Sequence, residues 1–390
     1  MKFKKILSVM LIVFVFSLGC GFTSCFGKTT HINYNNTPTN KTPNIYSSTE
    51  ETSISTIAED YMGAIATVYL TKNSSSSPVS FGSGIAVADG GFLVTNYHVV
   101  SSYVNNPDTY KIKLQMMLEI SEGENELATE VPAKLLWYDA NLDLAVLRSE
   151  QNFQTIVPMV DRWIEPSSKL RIAEKIWTLG TPAEIELFGS YSEGTISSLF
   201  KRVCGTSVDN TLYVHSYMIQ HNASISSGNS GGGLFDVFGN LVGLNTCGSS
   251  SGSGKSVNDL YYAIPIYPVT LILDKIIEQE LDVNPLTNYK AASLGITAFH
   301  DKYYQDYSTD YSFDETGVFV SKITANSNGA LAGLEVGSVL TGISDAQTAF
   351  MKIECVYDYI YALLSYDVGD TVTLYFSNNG TPLTKEIVLE

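Results

Sequence analysis

The stretch Ile225-Ser226-Ser227-Gly228-Asn229-Ser230-Gly231-Gly232-Gly233-Leu234-Phe235 decides how this chain is read. A serine hydroxyl is a poor nucleophile until a neighbouring base takes its proton. It also needs donors aimed at the oxyanion that forms after attack. Glycines around Ser230 let the backbone turn sharply and let a carbonyl come close to main-chain N–H groups. The N–H groups of Gly228 and Ser230 are the candidate oxyanion hole, with Asn229 shaping the turn between them. The competing reading is a glycine-rich surface turn with no chemistry.

A base and an orienting acid must come from elsewhere in the chain. Of the five histidines, His98 stands out. It closes the run Gly91-Phe92-Leu93-Val94-Thr95-Asn96-Tyr97-His98, which reads as an apolar strand leading into a polar turn. Asp143 lies alone in the apolar run Leu142-Asp143-Leu144-Ala145-Val146-Leu147, where a carboxylate is costly to bury without a partner. The order His98, Asp143, Ser230 is the chymotrypsin order. Gly228-x-Ser230-x-Gly232 also fits the nucleophile elbow of α/β-hydrolases, but that fold places its acid and histidine after the serine. Only His300 follows Ser230.

These segments carry a family resemblance. Gly82-Ser83-Gly84-Ile85 through Thr95-Asn96-Tyr97-His98-Val99-Val100 resembles the histidine motif of the HtrA/DegP serine proteases. Leu142 to Leu147 resembles their aspartate motif, and Gly228 to Gly232 their serine motif. The resemblance implies a mainly β protein: a chymotrypsin-like double β-barrel followed by a PDZ domain. It implies a serine endopeptidase with Ser230 as nucleophile, His98 as base and Asp143 as orienting acid. It implies no cofactor, unfolded-protein substrates, a quality-control role under stress, and assembly as a homotrimer. Gly233 departs from the proline usual in the serine motif.

Strand signals fit this fold. Residues 64–70, 82–88, 92–95, 111–118, 131–137 and 144–147 form one set. Residues 175–179, 193–199, 212–220, 233–235, 241–245 and 261–264 form a second, and 268–279 reads as a closing helix. Ser224, Ile225 and Ser226 are the expected wall of the substrate pocket. None is charged, so small or medium apolar side chains are expected there. From about residue 292 the character changes. Strand, turn and helix signals end in a hairpin around Asn378-Asn379-Gly380, and the succession resembles a PDZ domain. Leu294-Gly295-Ile296 is the expected carboxylate-binding loop, taking peptides with apolar C-termini.

The expected domains are 1–26, an export signal or anchor; 27–54, a flexible linker; 55–282, the protease; and 290–390, the PDZ domain. Lys2, Lys4 and Lys5 followed by an uncharged apolar run read as an export signal. Cys20 is the candidate lipid attachment site and Cys25 a second, with an uncleaved helix as the alternative. Either places the rest of the chain outside the cytoplasm, tethered to the membrane. A net charge of −17 from 23 basic and 40 acidic residues argues against nucleic-acid partners. Cys204 and Cys247 are a possible pair. No cysteine–histidine cluster has zinc spacing, and the acidic run 300–315 lacks calcium-loop spacing, so no metal is expected. His221 reads as structural rather than as a second base. A different class stays open: an idle barrel that presents the PDZ domain to partners.

Overall fold

The computed structural model describes residues 53–121, 124–140, 142–160, 170–182, 185–206, 212–250, 256–279, 291–301, 316–347, 350–354 and 356–390. The expected signal, linker and lipid sites at Cys20 and Cys25 lie outside these residues, as do most of the acidic run and Cys355. After a short helix α1 (Ile54–Tyr61), the first barrel is built from β1 (Ile65–Lys72), β2 (Pro78–Ala88), β3 (Phe92–Thr95), β4 (Tyr110–Ser121), β5 (Glu124–Asp139) and β6 (Leu144–Ser149), with helix α2 (Tyr97–Asn105) between β3 and β4. It closes in the order β1-β2-β3-β6-β5-β4. A second barrel follows: β7 (Lys175–Gly180), β8 (Ser190–Thr206), β9 (Leu212–His221), β10 (Gly233–Asp236), β11 (Leu241–Ser250) and β12 (Ser256–Pro265). It closes as β10-β11-β12-β9-β8-β7. The two six-stranded barrels are the chymotrypsin-like arrangement that the family resemblance implied. Closure leaves neither sheet with an open edge.

β1 shows why these segments are strands. Ile-Ala-Thr-Val-Tyr-Leu-Thr is rich in β-branched and aromatic side chains, and all seven are buried. The helix α1 was not expected, since Ser53-Ile54-Ser55-Thr56 reads as tether or strand. Its N-cap explains it: the Ser53 hydroxyl accepts the Thr56 N–H at 3.3 Å. Its buried face then carries Ile57 and Tyr61. The Tyr61 ring lies 5.4 Å from Phe235 and 5.8 Å from Trp177, and its hydroxyl donates to the Gly239 carbonyl at 2.9 Å. A residue that precedes the first barrel is thus part of the core of the second.

Helix α3 (Tyr267–Glu278) closes the barrels, with Pro268 in its first turn and Val269, Ile272, Leu273 and Ile276 buried at helical spacing. Beyond it lie β13 (Ile296–Asp301), β14 (Val318–Ile323), helix α4 (Asn328–Leu331), β15 (Val339–Ser344), β16 (Met351–Lys352), helix α5 (Val356–Leu364), β17 (Thr371–Asn378) and β18 (Thr381–Val388). The sheet runs β13-β14-β15-β17-β18, with β16 beside β15, a layout compatible with a PDZ domain. The Tyr267 and Tyr361 hydroxyls are hydrogen-bonded, and Lys275 Nζ lies 2.6 Å from Asp367 Oδ1, so α3 joins the barrels to this unit.

Candidate active site

The site lies where the two barrels meet, and each motif arrives on a different element. β3 ends at Thr95, and His98 sits in the first turn of α2 rather than in the expected polar turn. The Asn96 side chain does not cap this helix. Its Nδ2 instead donates to the Asp143 carbonyl at 3.0 Å. Asp143 stands just before β6 with φ of 54°, a left-handed conformation uncommon for a residue with a side chain. That conformation turns its carboxylate onto α2. The His98 main-chain N–H donates to Oδ1 at 2.8 Å, and the ring Nδ1 lies 3.0 Å from Oδ1 and 2.8 Å from Oδ2.

This contact sets the tautomer. A carboxylate only accepts, so Nδ1 carries the proton and Nε2 is left with a lone pair. Burial of the ring pulls the His98 pKa down, and the Asp143 charge and hydrogen bond more than reverse that, leaving it above the usual histidine value. Asp143 itself is buried, whereas the His98 side chain is half exposed.

Ser230 enters from the loop before β10. Its hydroxyl donates to the Thr246 carbonyl at 2.8 Å, and the Thr246 hydroxyl donates to Asp143 Oδ2 at 2.9 Å. Thr246, on β11, therefore links nucleophile and acid. A hydroxyl has one hydrogen, so with it on Thr246 the Ser230 hydroxyl does not donate to His98 Nε2 in this arrangement. Sequence reasoning missed Thr246, because a threonine in a strand carries no motif.

The loop around the nucleophile is a frame of main-chain bonds. Gly228 and Gly231 have φ of 95° and 84°. The Asn229 N–H donates to Ser226 O at 3.0 Å, Gly232 N–H to Asn229 O at 2.8 Å, and Gly231 N–H to Asn245 O at 2.8 Å. Among the described residues neither the Gly228 nor the Ser230 N–H is taken by another group, so both remain for an oxyanion. Ser224, Ile225 and Ser226 line a cavity of about 280 Å³, together with Asn229 and with Tyr191 and Ser192 of β8. Among the described residues no charged side chain lines it, but the hydroxyls make it more polar than expected.

His221 ends β9, fully buried, with no hydrogen-bond partner on either ring nitrogen among the described residues. Burial pushes its pKa down to about 4, and Asn245 and the Ala223 backbone lie near enough to pull weakly the other way. It is neutral at working pH and lies in the wall of the second barrel. The Cys204–Cys247 idea meets a backbone obstacle: β8 and β11 are separated by β9 and β12. Through Tyr262 and Gln220 the ladders align Cys247 with Ser198 of β8, six residues short of Cys204, an offset of roughly 20 Å along the strands and beyond the reach of a disulfide.

In the C-terminal unit Gly295 has φ of 66°, which only glycine adopts easily. Its N–H donates to Ser293 Oγ at 2.9 Å, Leu294 is buried in the core, and Ile296 opens the edge strand β13. Leu294 thus faces the core rather than an open pocket. Among the described residues no group of three or more His, Cys, Asp or Glu could hold a metal ion, and no helix is long and apolar enough to cross a membrane.

Residues 82–244 match the family described as Trypsin-like peptidase domain. The chain is 27% identical over 325 residues to the Serine protease Do-like HtrA of Lactobacillus helveticus, covering 82% of this chain and 71% of that protein. It is 28% identical over 275 residues to the Probable periplasmic serine endoprotease DegP-like of Brucella suis biovar 1, covering 68% of this chain and 45% of that one. Two solved structures share the fold. The serine endoprotease from Yersinia pestis matches with a TM-score of 0.52 at 23% identity, covering 87% of this chain and 97% of that one. The HtrA-type protease AlgW with decapeptide matches with a TM-score of 0.54 at 20% identity, covering 87% and 98%.

Proposed function

Because residues 82–244 are a trypsin-like peptidase domain in a chain that is HtrA/DegP-like, we propose that it is an exported serine endopeptidase acting through Ser230, His98 and Asp143. The observation that carries this is the bonded set His98–Asp143–Thr246–Ser230, assembled from both barrels. Ser230 Oγ attacks the peptide carbonyl as His98 Nε2 takes its proton. Asp143 holds the imidazole in the tautomer with Nδ1–H and stabilises the imidazolium. The Gly228 and Ser230 N–H groups receive the oxyanion. His98 then protonates the leaving amine, and water reverses the sequence to free the acyl group. Every group in this scheme is a side chain or main-chain N–H of the chain, so neither ATP nor a cofactor enters.

Unfolded proteins are the natural substrates in this reading, since the cleft must take an extended backbone. The C-terminal unit binds substrate C-termini along the edge strand β13, by strand addition beside the Gly295 turn. The Ser293 hydroxyl now on the Gly295 N–H has to yield for a carboxylate to bind there. The basic-then-apolar N-terminus, and relatives named as periplasmic, support an extracytoplasmic enzyme tethered at its N-terminus. The test is casein cleavage by the purified chain. It should be lost in Ser230→Ala by about a million-fold in turnover with the fold intact. Equal cleavage by the variant sinks the assignment.

A further inference from the structure

We propose that Ser83, a residue of the first barrel, is a positioning residue for the oxyanion hole carried by the second. The inference rests on the protease reading above and adds to it a role for a residue that is not one of the triad. Ser83 is fully buried on β2. Its main-chain N–H donates to the Ser230 carbonyl at 2.7 Å, and its hydroxyl donates to the Gly228 carbonyl at 2.8 Å. The same oxygen accepts the Thr181 N–H at 2.8 Å, which leaves its one hydrogen for Gly228. The Thr95 hydroxyl holds the Ser83 carbonyl at 2.7 Å. All the polar atoms of this serine are therefore fixed, two of them on the nucleophile loop.

The consequence follows from peptide planarity. The Gly228 carbonyl and the Asn229 N–H belong to one plane. Ser83 holds the carbonyl end and Ser226 O the N–H end. Gly228 has φ of 95° and no side chain to restrain it. Its neighbouring planes are therefore kept by outside partners, and Ser83 is the partner at the centre. Next along, Gly232 holds the Asn229 carbonyl, which sends the Ser230 N–H to the opposite side. The Ser83 N–H then holds the Ser230 carbonyl. Without the Ser83 hydroxyl the plane between Gly228 and Asn229 loses one anchor, and the Gly228 N–H is free to turn from the reacting oxygen. A side chain at Gly82 would come within 2.8 Å of the Ser230 carbonyl. Backbone meets backbone at this seam.

The experiment compares Ser83→Ala with a seam control, Thr67→Val, in the full chain. Thr67 is buried between the barrels, pairs with Ser83 across β1 and β2, and bonds Thr181 and Gln115, with no hydrogen bond to the nucleophile loop among the described residues. For a fluorogenic peptide that the unmodified chain cleaves, Ser83→Ala should lower kcat between about ten- and a hundredfold. That is less than the roughly hundred- to thousandfold loss for removing an oxyanion donor outright. KM should stay within about twofold. The inhibition constant of a peptide aldehyde, whose adduct places an oxyanion in the hole, should rise by the same factor as kcat falls. Thr67→Val should lower the melting temperature and leave kcat within about twofold. If Ser83→Ala does not fold, Ser83→Cys keeps a side-chain donor, weaker and on a somewhat larger atom, and is read the same way. A folded variant whose kcat and aldehyde affinity stay within about threefold overturns the proposal. So does a loss that Thr67→Val matches at equal loss of melting temperature. An unmodified chain with no turnover at all would instead fail the protease reading, and this inference with it.

Discussion

Replacing Asp143 with asparagine changes one atom pair at the centre of the site. The carboxylate accepts the His98 main-chain N–H, the His98 ring and the Thr246 hydroxyl, so both oxygens face donors. An asparagine has one oxygen and one NH2 group. If the oxygen stays on the main-chain N–H, the NH2 group faces Nδ1 and the Thr246 hydroxyl. Nδ1 must then accept, the ring proton moves to Nε2, and Nε2 can no longer take the proton of Ser230. The geometry survives and the tautomer does not. A loss of about ten-thousandfold in kcat is the magnitude for this exchange, or roughly 5 kcal/mol of barrier at 1.36 kcal/mol per decade. The pH profile shifts too. Burial lowers the His98 pKa while Asp143 raises it above the ordinary value. Removing the charge leaves burial, so the acid limb of the residual activity should move to lower pH. Peptide turnover between pH 5 and 9, with circular dichroism to confirm folding, measures both. A folded Asp143→Asn enzyme that loses less than about tenfold, or whose acid limb does not move, refutes the assignment of Asp143 as orienting acid.

Three further outcomes follow from named contacts. His221 is buried neutral with a folded pKa of about 4 against the ordinary 6.5. The unfolded chain therefore binds the proton first as pH falls. Stability from this group is complete above about pH 6.5 and is lost by roughly 3 kcal/mol as pH falls to 4. Denaturant midpoints across that range should slope downward with acid and flatten in His221→Phe. His98, with its raised pKa, works in the opposite sense, its contribution present in acid and lost as pH rises through its folded value. Tyr61→Ala removes a fully buried ring packed against both Trp177 and Phe235 and should cost about 3–5 kcal/mol, read by urea unfolding. A peptide ending in a free carboxylate after an apolar residue should bind the full chain more tightly than its amide, since charge-assisted bonds to the Gly295 turn are lost with the charge. Equal affinities by calorimetry would make the C-terminal unit a spacer.

Much of this was legible in the sequence, and the rest was hidden for physical reasons. Short strands broken by turn residues pointed to a β barrel or sandwich, because alternation and turn chemistry are local, and the two-barrel layout came with the family resemblance. His98, Asp143 and Ser230 were singled out by their order and by runs that resemble the HtrA/DegP motifs, Asp143 also as a lone carboxylate in an apolar run. Helix α2 was not, because Tyr-His-Val-Val-Ser-Ser-Tyr-Val is rich in residues that favour strands. Its start depends on Asn96 reaching Asp143, a contact 47 positions away. Helix α1 was masked by serine and threonine, although Ser53 is a sound cap. Thr246 and Ser83 were silent as chemistry, since each acts through bonds to a loop more than a dozen residues distant in sequence. The one local signal for Ser83 is its place between Gly82 and Gly84, where a close approach of two backbones is foreshadowed.

The central claim is that Ser230 is a nucleophile activated by His98. The measurement that tests it most directly is to label the folded chain with a serine-reactive phosphonate and map the adduct by peptide mass spectrometry. The account predicts one adduct, on Ser230, formed in step with loss of casein cleavage and abolished in His98→Ala. Full inhibition with the adduct on another residue, or cleavage that persists with Ser230 fully modified, would contradict it.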